Sequence, residues 1–344
     1  VFSVVRSEAD FDDTQNYVFK RKYRRSKRMT GTEGIQIYVA CHKPTWVLDN
    51  RLLVPVQVGA ALTDARYAGM RQDNEGEHIS EKNAQYCELT AQYWAWKNTD
   101  CEYYGFFHYR RYLSFAEVYP VEADGKIKKG RNRCPYIELD DIREDLSAYK
   151  LDADWMKQQI RQYDLITVLR ERINTTVYRQ YCQYHNQAYL DLILEILKKK
   201  YPEYRAAADV YMNSKEIYYM NMYIMKKPLF FQYMNWLFDI LTAFEKECEA
   251  GGQSLEPRMM GYLAERLFGV FYLHQRMNGV NCAEAPYLKF YCTEHESGKN
   301  LAENVRVFCL KPSRIQIKID MRKLNRLFQA GSRRIILLRS FFLR

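Results

Sequence analysis

Two adjacent arginines, Arg110 and Arg111, follow His108 and Tyr109 just after the segment 102–107, whose apolar and aromatic residues have the pattern of a buried strand. Open α/β sheets bind their ligands at the carboxyl ends of strands. A guanidinium presents a rigid fork of donors that fits phosphate oxygens, so this arginine pair predicts a phosphate or diphosphate site. The alternative is that both arginines form surface salt bridges, which contribute little.

His108 lies just before the two arginines, where many enzymes that use nucleotide-sugar donors have an Asp-x-Asp that holds a divalent cation. Arginine or a protonated histidine can stabilise developing phosphate charge without a metal, and each such preorganised donor contributes on the order of 3–4 kcal/mol. The sequence contains no H-E-x-x-H, no G-x-S-x-G, no paired-cysteine site and no glycine-rich nucleotide loop. It therefore predicts a site without metal or other cofactor, with a divalent cation as the open alternative.

The elements that would position these side chains alternate between helix and strand. Ser80 is a predicted N-cap of an amphipathic helix that ends at Asn98 and feeds the strand 102–107. Further predicted elements are strands 35–40, 52–58 and 163–169 and a helix at 152–162. This alternation predicts an α/β fold with a Rossmann-type, mostly parallel sheet flanked by helices.

The second half of the chain is predicted to be helix-rich. Helices are expected at 178–200, 227–247 and 258–272, with one apolar strand at 218–225. His185 shares a helix face with tyrosines, so we interpret it as a packing residue rather than a ligand.

Charge is concentrated at the two ends of the chain. Of the net charge of +10, residues 1–34 carry +3 and residues 309–344 carry +9, so the remaining 274 residues carry −2. A nucleic-acid-binding protein should have its basic excess on the folded body, and this distribution therefore argues against nucleic acid as a partner.

The two ends also set the predicted domain organisation. We expect a poorly ordered basic leader at 1–34, one domain at 35–308, and a basic amphipathic tail at 309–344. The tail alternates Arg and Lys with apolar residues, which indicates either a helix lying in an anionic membrane interface or a helix packed on the body. No segment reaches the roughly 18–20 apolar residues of a membrane span, and nine cysteines without a C-x-x-C pair indicate reduced thiols in the cytoplasm.

Several motifs together resemble a family of bacterial glycosyltransferases from capsular and exopolysaccharide gene clusters, whose shared domain was long described only as of unknown function. The resemblance spans about Ile35 to Tyr272. Its carriers are Ile37-Tyr-Val-Ala-Cys-His-Lys43, Pro55-Val-Gln-Val-Gly-Ala60, Asn74-x-Gly76, Ile79-Ser-Glu-Lys-Asn83, Tyr86-Cys-Glu-Leu-Thr90, Tyr93-Trp-x-Trp-Lys-Asn98, His108-Tyr-Arg-Arg-Tyr112, Asn221-Met-Tyr-Ile-Met-Lys-Lys227, Tyr233-x-x-Trp-Leu-Phe238 and Gly261-Tyr-Leu-Ala-Glu-Arg-Leu267.

The resemblance implies a GT-A-like hexosyltransferase that uses a nucleotide-diphosphate sugar as donor and a lipid-linked oligosaccharide as acceptor. The expected donor is a uridine diphosphate sugar, with galactose or galactofuranose as a guess. The expected location is the cytoplasmic side of the plasma membrane, as a peripheral protein held by the tail. The alternative from another class is a non-catalytic glycan- or nucleotide-binding subunit of a polysaccharide assembly complex.

The same interpretation assigns roles to individual residues. An inverting transferase needs a carboxylate general base near the acceptor hydroxyl, for which Glu265 is the candidate and Glu88 and Asp73 are rivals. A solvent-facing position on a helix is the other interpretation of Glu265. His108 is the second candidate catalytic residue. The expected donor-binding residues are Cys41, His42, Lys43, Arg71, Asp73, Asn74, Ser80, Asn83, Arg110 and Arg111.

Overall fold

A mixed β-sheet runs through the centre of the protein, in a computed structural model that describes residues 34–122, 124–127 and 134–293. Eleven strands of the described residues belong to this sheet, and β9 and β10 form a separate pair. The strands are β1 Ile35–Cys41, β2 Leu53–Gln57, β3 Arg71–Gln72, β4 Tyr103–His108, β5 Arg111–Leu113, β6 Tyr119–Val121, β7 Tyr136–Asp141, β8 Leu165–Val168, β9 Glu171–Arg172, β10 Glu216–Ile217, β11 Tyr223–Lys226, β12 Cys282–Ala285 and β13 Tyr287–Cys292. The predicted leader before residue 34 and the predicted tail from residue 309 lie outside the described residues.

The main path through the sheet has the order β3-β2-β1-β4-β11-β8-β12-β6. The pairs β1–β2, β1–β4, β2–β3 and β8–β12 are parallel, whereas β11 is antiparallel to both of its neighbours. Strands β3, β2, β1, β4, β8 and β12 therefore all run in one direction, and β11 and β6 run against them. The predicted α/β class with a mostly parallel sheet is confirmed.

The centre of the sheet is tightly packed because its middle strands are buried on both faces. A Cβ atom on Gly105 of β4 would lie 2.8 Å from the Ile37 side chain, so glycine permits the close approach of β1. The Tyr104 ring stacks on Phe230 with 4.4 Å between ring centroids. Such a core fixes the strand ends, from which the polar loops extend.

Eight α-helices of the described residues flank the sheet. They are α1 Asn83–Tyr86, α2 Leu89–Asn98, α3 Ala153–Ile160, α4 Val177–Tyr184, α5 Gln187–Lys200, α6 Arg205–Asn213, α7 Lys227–Ala250 and α8 Met259–Met277. Among the described residues, none of these helices has the length and apolar character that crossing a bilayer requires.

The helix predicted from Ser80 to Asn98 is wrong in one respect, because it breaks between α1 and α2. Ser80 begins a short 3-10 turn and caps no helix, since its hydroxyl bonds Asp73 instead. Cys87 then has φ 52° and ψ −129°, a backbone conformation that residues other than glycine rarely adopt. The Asn83 amide donates to the Cys87 carbonyl at 2.8 Å and stabilises this break.

The single helix predicted at 178–200 is also two helices. The Asn186 side chain accepts a hydrogen bond from the Ala188 amide and so caps α5, which ends α4 at Tyr184. The predicted strand at 218–225 is shorter than expected, because only Tyr223–Lys226 pairs in the sheet. The residues before it form a loop with unusual backbone geometry, described below.

Candidate functional site

The carboxyl ends of β1, β4, β8 and β12 lie at one edge of the sheet. Because β11 runs in the opposite direction, its first residue, Tyr223, pairs with Phe106 near the end of β4. The loop that precedes β11 therefore reaches the same edge as the segment that follows β4. This arrangement places Met220 and Asn221 beside His108, and all three line one small cavity.

Arg110 and Arg111 lie at this edge and are both half-buried. The Arg110 guanidinium lies over the Tyr109 ring, 5.0 Å from its centroid, and its buried Nε has no hydrogen-bond partner among the described residues. Arg111 approaches the His108 ring, with 3.3 Å between Nη1 and Nδ1. A buried guanidinium nitrogen without an acceptor fits a site that takes an anion.

His108 is held in its neutral form at this edge. Burial lowers its pKa well below the ordinary value, and the charges of Arg111 and Arg110 lower it further. Its Nδ1 accepts a hydrogen bond from the Arg110 backbone amide at 3.4 Å, which leaves Nε2 to carry the proton. The lowered pKa favours the neutral ring, which can donate one hydrogen bond, over a protonated His108 that adds positive charge.

Two glutamates, Glu88 and Glu265, lie near enough in the same region for the charge of Glu265 to act on Glu88. One Glu265 carboxylate oxygen accepts from the Met220 amide at 2.8 Å and the other from Arg266 at 3.2 Å. Glu88 accepts from the Asn221 side chain at 2.8 Å. Burial raises the pKa of Glu88, the Asn221 amide opposes that rise, and the negative charge of Glu265 adds to it.

The carboxylates are electrostatically coupled to the arginines. Burial lowers the pKa of Arg111, and Glu265 acts in the opposite direction. The Arg258 guanidinium lowers the pKa of Glu88 and lies 5.1 Å from the centroid of the Tyr262 ring. Arginine and glutamate side chains therefore lie within electrostatic reach of one another at this edge of the sheet.

Strained backbone surrounds the two glutamates. Of the five described non-glycine residues with positive φ, four lie here: Cys87 at 52°, Met220 at 78°, Asn221 at 49° and Arg258 at 64°. Cys87 precedes Glu88, the Met220 amide donates to Glu265, and the Asn221 side chain donates to Glu88. The charge of Arg258 also acts on Glu88. Conformations of this kind cost on the order of 1–3 kcal/mol each and cluster at functional sites.

Arg266 forms an ion pair with Glu265. Its side chain is only 2% exposed, and its guanidinium lies between the Tyr181 and Tyr219 rings at 5.6 and 5.7 Å. Its second terminal nitrogen donates to Gln180 at 2.6 Å. His185 packs on Tyr262 with 4.2 Å between ring centroids, in agreement with a packing role. Two tyrosine rings therefore flank Arg266, the residue that pairs with Glu265.

Asp73 lies at the end of β3, and its contacts are with the surrounding protein. It is fully buried and accepts from the backbone amides of Gly59 at 2.9 Å and Ala60 at 3.0 Å and from the Thr90 hydroxyl at 2.6 Å. Ser80 bonds to the same carboxylate. Asp73 and Ser80 thus tie together the loops after β2 and β3, and we assign them positioning roles.

The remaining predicted donor-binding residues lie along the same edge, nearer β1 and β3. Burial raises the pKa of the Cys41 thiol to about 12, so the thiol stays protonated. The Lys43 ammonium lies 5.6 Å from the Tyr109 ring centroid, and the His42 ring packs edge-on against it at 4.8 Å. Arg71 lies 5.7 Å from the Trp94 ring centroid. Asn74 is half-buried, and Asn83 is used to stabilise the break at Cys87.

Sequence reasoning missed Arg258, Arg266 and Asn221 as members of the site. Asn221 and Arg266 stand inside motifs quoted above, but nothing in their spacing shows that they meet Glu88 and Glu265. Among the described residues, no group of three or more His, Cys, Asp or Glu side chains could hold a metal ion.

Comparison with known proteins places this edge in context. Residues 36–276 match a family described as a domain of unknown function, DUF4422. A search of curated proteins finds no match. The apo structure of the bifunctional glycosyltransferase WbbM is similar, with a TM-score of 0.68 and 28% sequence identity. The match covers 79% of this chain and 48% of that chain, so this chain spans about half the length of WbbM.

Proposed function

Because this chain belongs to the family that shares domain DUF4422, and because its fold is similar to that of a bifunctional glycosyltransferase, we propose that it is a glycosyltransferase. It would transfer a sugar from a nucleoside diphosphate to a hydroxyl of an acceptor. The observation that carries this proposal is the meeting of an arginine pair with a glutamate pair at one edge of the sheet.

Arg110 and Arg111 bind the diphosphate of the donor in this proposal. The unpartnered Arg110 Nε supplies a donor to a phosphate oxygen, and Arg111 neutralises charge on the leaving group. Neutral His108 contributes one hydrogen bond from Nε2. Lys43, at the end of β1, adds a further positive charge on the side of the nucleotide.

Glu265 acts as the general base toward the acceptor. As the acceptor oxygen forms its bond to the anomeric carbon, the hydroxyl proton passes to the Glu265 carboxylate. The bond from the anomeric carbon to the diphosphate breaks, and the electron pair leaves with the phosphate. The hydrogen bonds from Met220 and Arg266 fix the Glu265 carboxylate, whose side chain is 16% exposed and so reachable by a substrate.

Glu88 is the partner of Glu265 rather than its rival. The negative charge of Glu265 adds to the rise in the pKa of Glu88 that burial causes, so the two carboxylates lie within electrostatic reach of each other. Asp73 is excluded as the base in this proposal because its side chain is fully buried and out of reach of an acceptor hydroxyl, whereas the Glu265 side chain is 16% exposed.

The finer features of the proposal come from the resemblance and from the charge pattern. The donor is a uridine diphosphate sugar, with galactose or galactofuranose first to be tested, and the acceptor is a lipid-linked oligosaccharide of a bacterial surface polysaccharide. The protein is cytoplasmic and binds the inner face of the plasma membrane through the basic segment 309–344. The donor phosphate charge is neutralised by arginines without a metal.

Release of uridine diphosphate tests the activity directly. The full chain is incubated with a panel of sugar nucleotides and alkyl glycoside acceptors. We expect Arg110→Ala and Arg111→Ala to lower kcat/KM by about 10²–10³-fold and Glu265→Gln by about 10²–10⁴-fold. Arg143→Ala is the matched control, because Arg143 is exposed and pairs with Asp141.

The same experiment separates the transferase from a non-catalytic subunit. If donor binds to the unaltered chain but no mixture of donor and acceptor turns over, the binding-subunit alternative is correct. Loss of turnover in the Arg143→Ala control to the same degree would show that the arginine pair has no special role.

A further inference from the structure

A groove of about 320 Å³ lies between α2 and α7, and the proposed reaction does not use it. Its floor consists of four aromatic rings, Tyr86, Tyr93, Trp96 and Phe238. Tyr86 and Trp96 both stack on Phe238, at 6.2 and 6.1 Å between centroids, and Tyr93 meets it edge-on at 5.0 Å. The volume lies within the range of small-molecule sites. We call this feature the aromatic groove.

The charged side chains of the aromatic groove are already paired. Lys82 binds Glu245 at 2.8 Å, and Lys97 binds Glu77 at 3.2 Å. Asp239 binds Lys200 at 2.8 Å and also accepts from the Tyr201 hydroxyl. Equal numbers of positive and negative groups line the cavity, so it offers no net charge to an anionic ligand such as a nucleotide.

Neutral hydrogen-bonding groups stand on the rim of the same groove. Asn235 and Thr242 are exposed on the outer face of α7, next to the aromatic floor. Asn235 donates to the Phe231 carbonyl, which leaves its amide oxygen as an acceptor. An apolar floor with a neutral polar rim matches a molecule that has apolar faces and hydroxyl groups around its edge.

We propose that the aromatic groove binds a neutral oligosaccharide. The C–H face of a sugar ring packs on the aromatic floor, displacing the Lys97 ammonium that lies 3.9 Å from the Trp96 ring centroid, and its hydroxyl groups bond to the rim. The groove is separate from the small cavity beside His108, because the residues that line the two have no member in common. The proposal does not depend on the chain being a transferase, since binding is measured without turnover.

Titration of the full chain with defined sugars tests the proposal. The probes are maltotetraose, cellotetraose and β-1,4-galactotetraose, with tetragalacturonate as the charged counterpart, followed by calorimetry and saturation-transfer NMR. We expect at least one neutral tetrasaccharide to bind with a Kd between about 0.1 and 5 mM, and tetragalacturonate to bind at least about tenfold more weakly.

Two variants assign the binding to the groove. Trp96→Ala removes a ring of the floor, and Thr242→Arg blocks the rim while keeping every ring, so a folding defect in the first does not prevent the test. Each is expected to weaken binding about tenfold or more. Trp155→Ala is the matched control, because Trp155 is a half-exposed tryptophan on α3 outside the groove, and it should bind as the unaltered chain does.

Four results would overturn the proposal. They are no binding of any neutral tetrasaccharide up to about 10 mM, binding that survives both groove variants, tetragalacturonate binding as tightly as the neutral sugars, and binding that Glu265→Gln abolishes while the groove variants retain it. Sedimentation showing a dimer that Thr242→Arg dissociates would instead identify the groove as a contact between two copies of the chain.

Discussion

Glu88 and Glu265 occupy one small region yet have different partners. Glu265 is fixed by a backbone amide and a buried guanidinium, whereas Glu88 has one amide donor and the more unfavourable environment. Paired titratable groups with unlike surroundings are typical of acid–base chemistry. The burial of Glu88 is therefore a stability cost that the site carries.

Glu88→Gln is expected to stabilise the fold at neutral pH and to lower activity. Burial raises the folded pKa of Glu88, while the unfolded chain loses the proton near about 4.3. As pH rises from that value through the folded pKa, the native state binds more protons than the unfolded state, so stability is lost. The variant lacks this loss, and we expect a gain on the order of 1 kcal/mol at neutral pH.

Urea unfolding near pH 4 and near pH 7.5 measures this difference. The gain should vanish at the lower pH, because both states then hold the proton. Glu75→Gln is the control, since Glu75 is exposed with only a long contact to Arg71 at 3.8 Å, and it should change stability by less than about 0.5 kcal/mol. Equal gains at both pH values would argue against a raised pKa at Glu88.

At the scale of elements, helix α8 contributes both packing and chemistry. It carries Glu265 and Arg266 toward the site, and it crosses α6 where Gly269 lies against the Tyr211 ring. A Cβ atom on Gly269 would lie 2.0 Å from that ring, whereas one on Gly261 would have its nearest neighbour, Cys87, at 3.6 Å. Close packing against Tyr211 therefore requires glycine at position 269, whereas the space around Gly261 would admit a methyl group.

Gly269→Ala is expected to lower the free energy of unfolding by about 1–3 kcal/mol. Tyr211 is buried, and its hydroxyl accepts from the Tyr218 amide, so the ring cannot move aside cheaply. Gly261→Ala should be neutral or raise stability by up to about 1 kcal/mol through helix propensity. Thermal unfolding of both variants checks this, and equal destabilisation would contradict the packing argument.

An element could be predicted from the sequence when the residues that determine it lie close together in the chain. Strands β1 and β4 and helices α7 and α8 have apolar patterns that act within a few residues, and their positions were predicted well. The breaks at Cys87 and at His185 were not, because side-chain bonds from Asn83 and Asn186 decide them. Strands β12 and β13 were missed because their partners lie more than a hundred residues away.

The residues of the candidate site could likewise be predicted only in part. Arg110, Arg111, Glu88 and Glu265 could be selected from residue type and position. That Glu88 and Glu265 share one place, and that Arg258 joins them, is a tertiary fact set by the loop before β11 and by α8. Asp73 had a suitable residue type and a place in a polar loop, but its buried hydrogen bonds form only when the loops around it fold.

At the scale of the whole molecule, positive charge serves two predicted purposes. In the proposed function the arginines at the sheet edge neutralise phosphate, so we expect a chelator such as EDTA to leave the turnover of sugar nucleotide unchanged. Nucleotide release with and without the chelator measures this. A strict requirement for added Mn²⁺ would defeat the proposal that arginines replace a metal.

The basic excess of the segment 309–344 serves the second purpose, although its structure lies outside the described residues. Deleting residues 313–344 is expected to move the protein from the membrane fraction to the supernatant, because anionic lipid attracts basic amphipathic segments. Turnover on a soluble acceptor should stay within about twofold of the full chain. A truncated protein that still sediments with membranes would show that another surface holds it.

The pairing of β13 with β5 has a consequence for biosynthesis. Arg111 lies opposite Lys289 in that pair, and the Arg110 carbonyl accepts a hydrogen bond from the Phe290 amide. The β4–β5 hairpin that carries the two arginines can therefore pair with β13 only after translation has passed residue 290. A nascent chain still on the ribosome at α8 would already carry every proposed reactive group but would lack the strand that pairs with β5, so the proposed activity would begin only after this region has been synthesised.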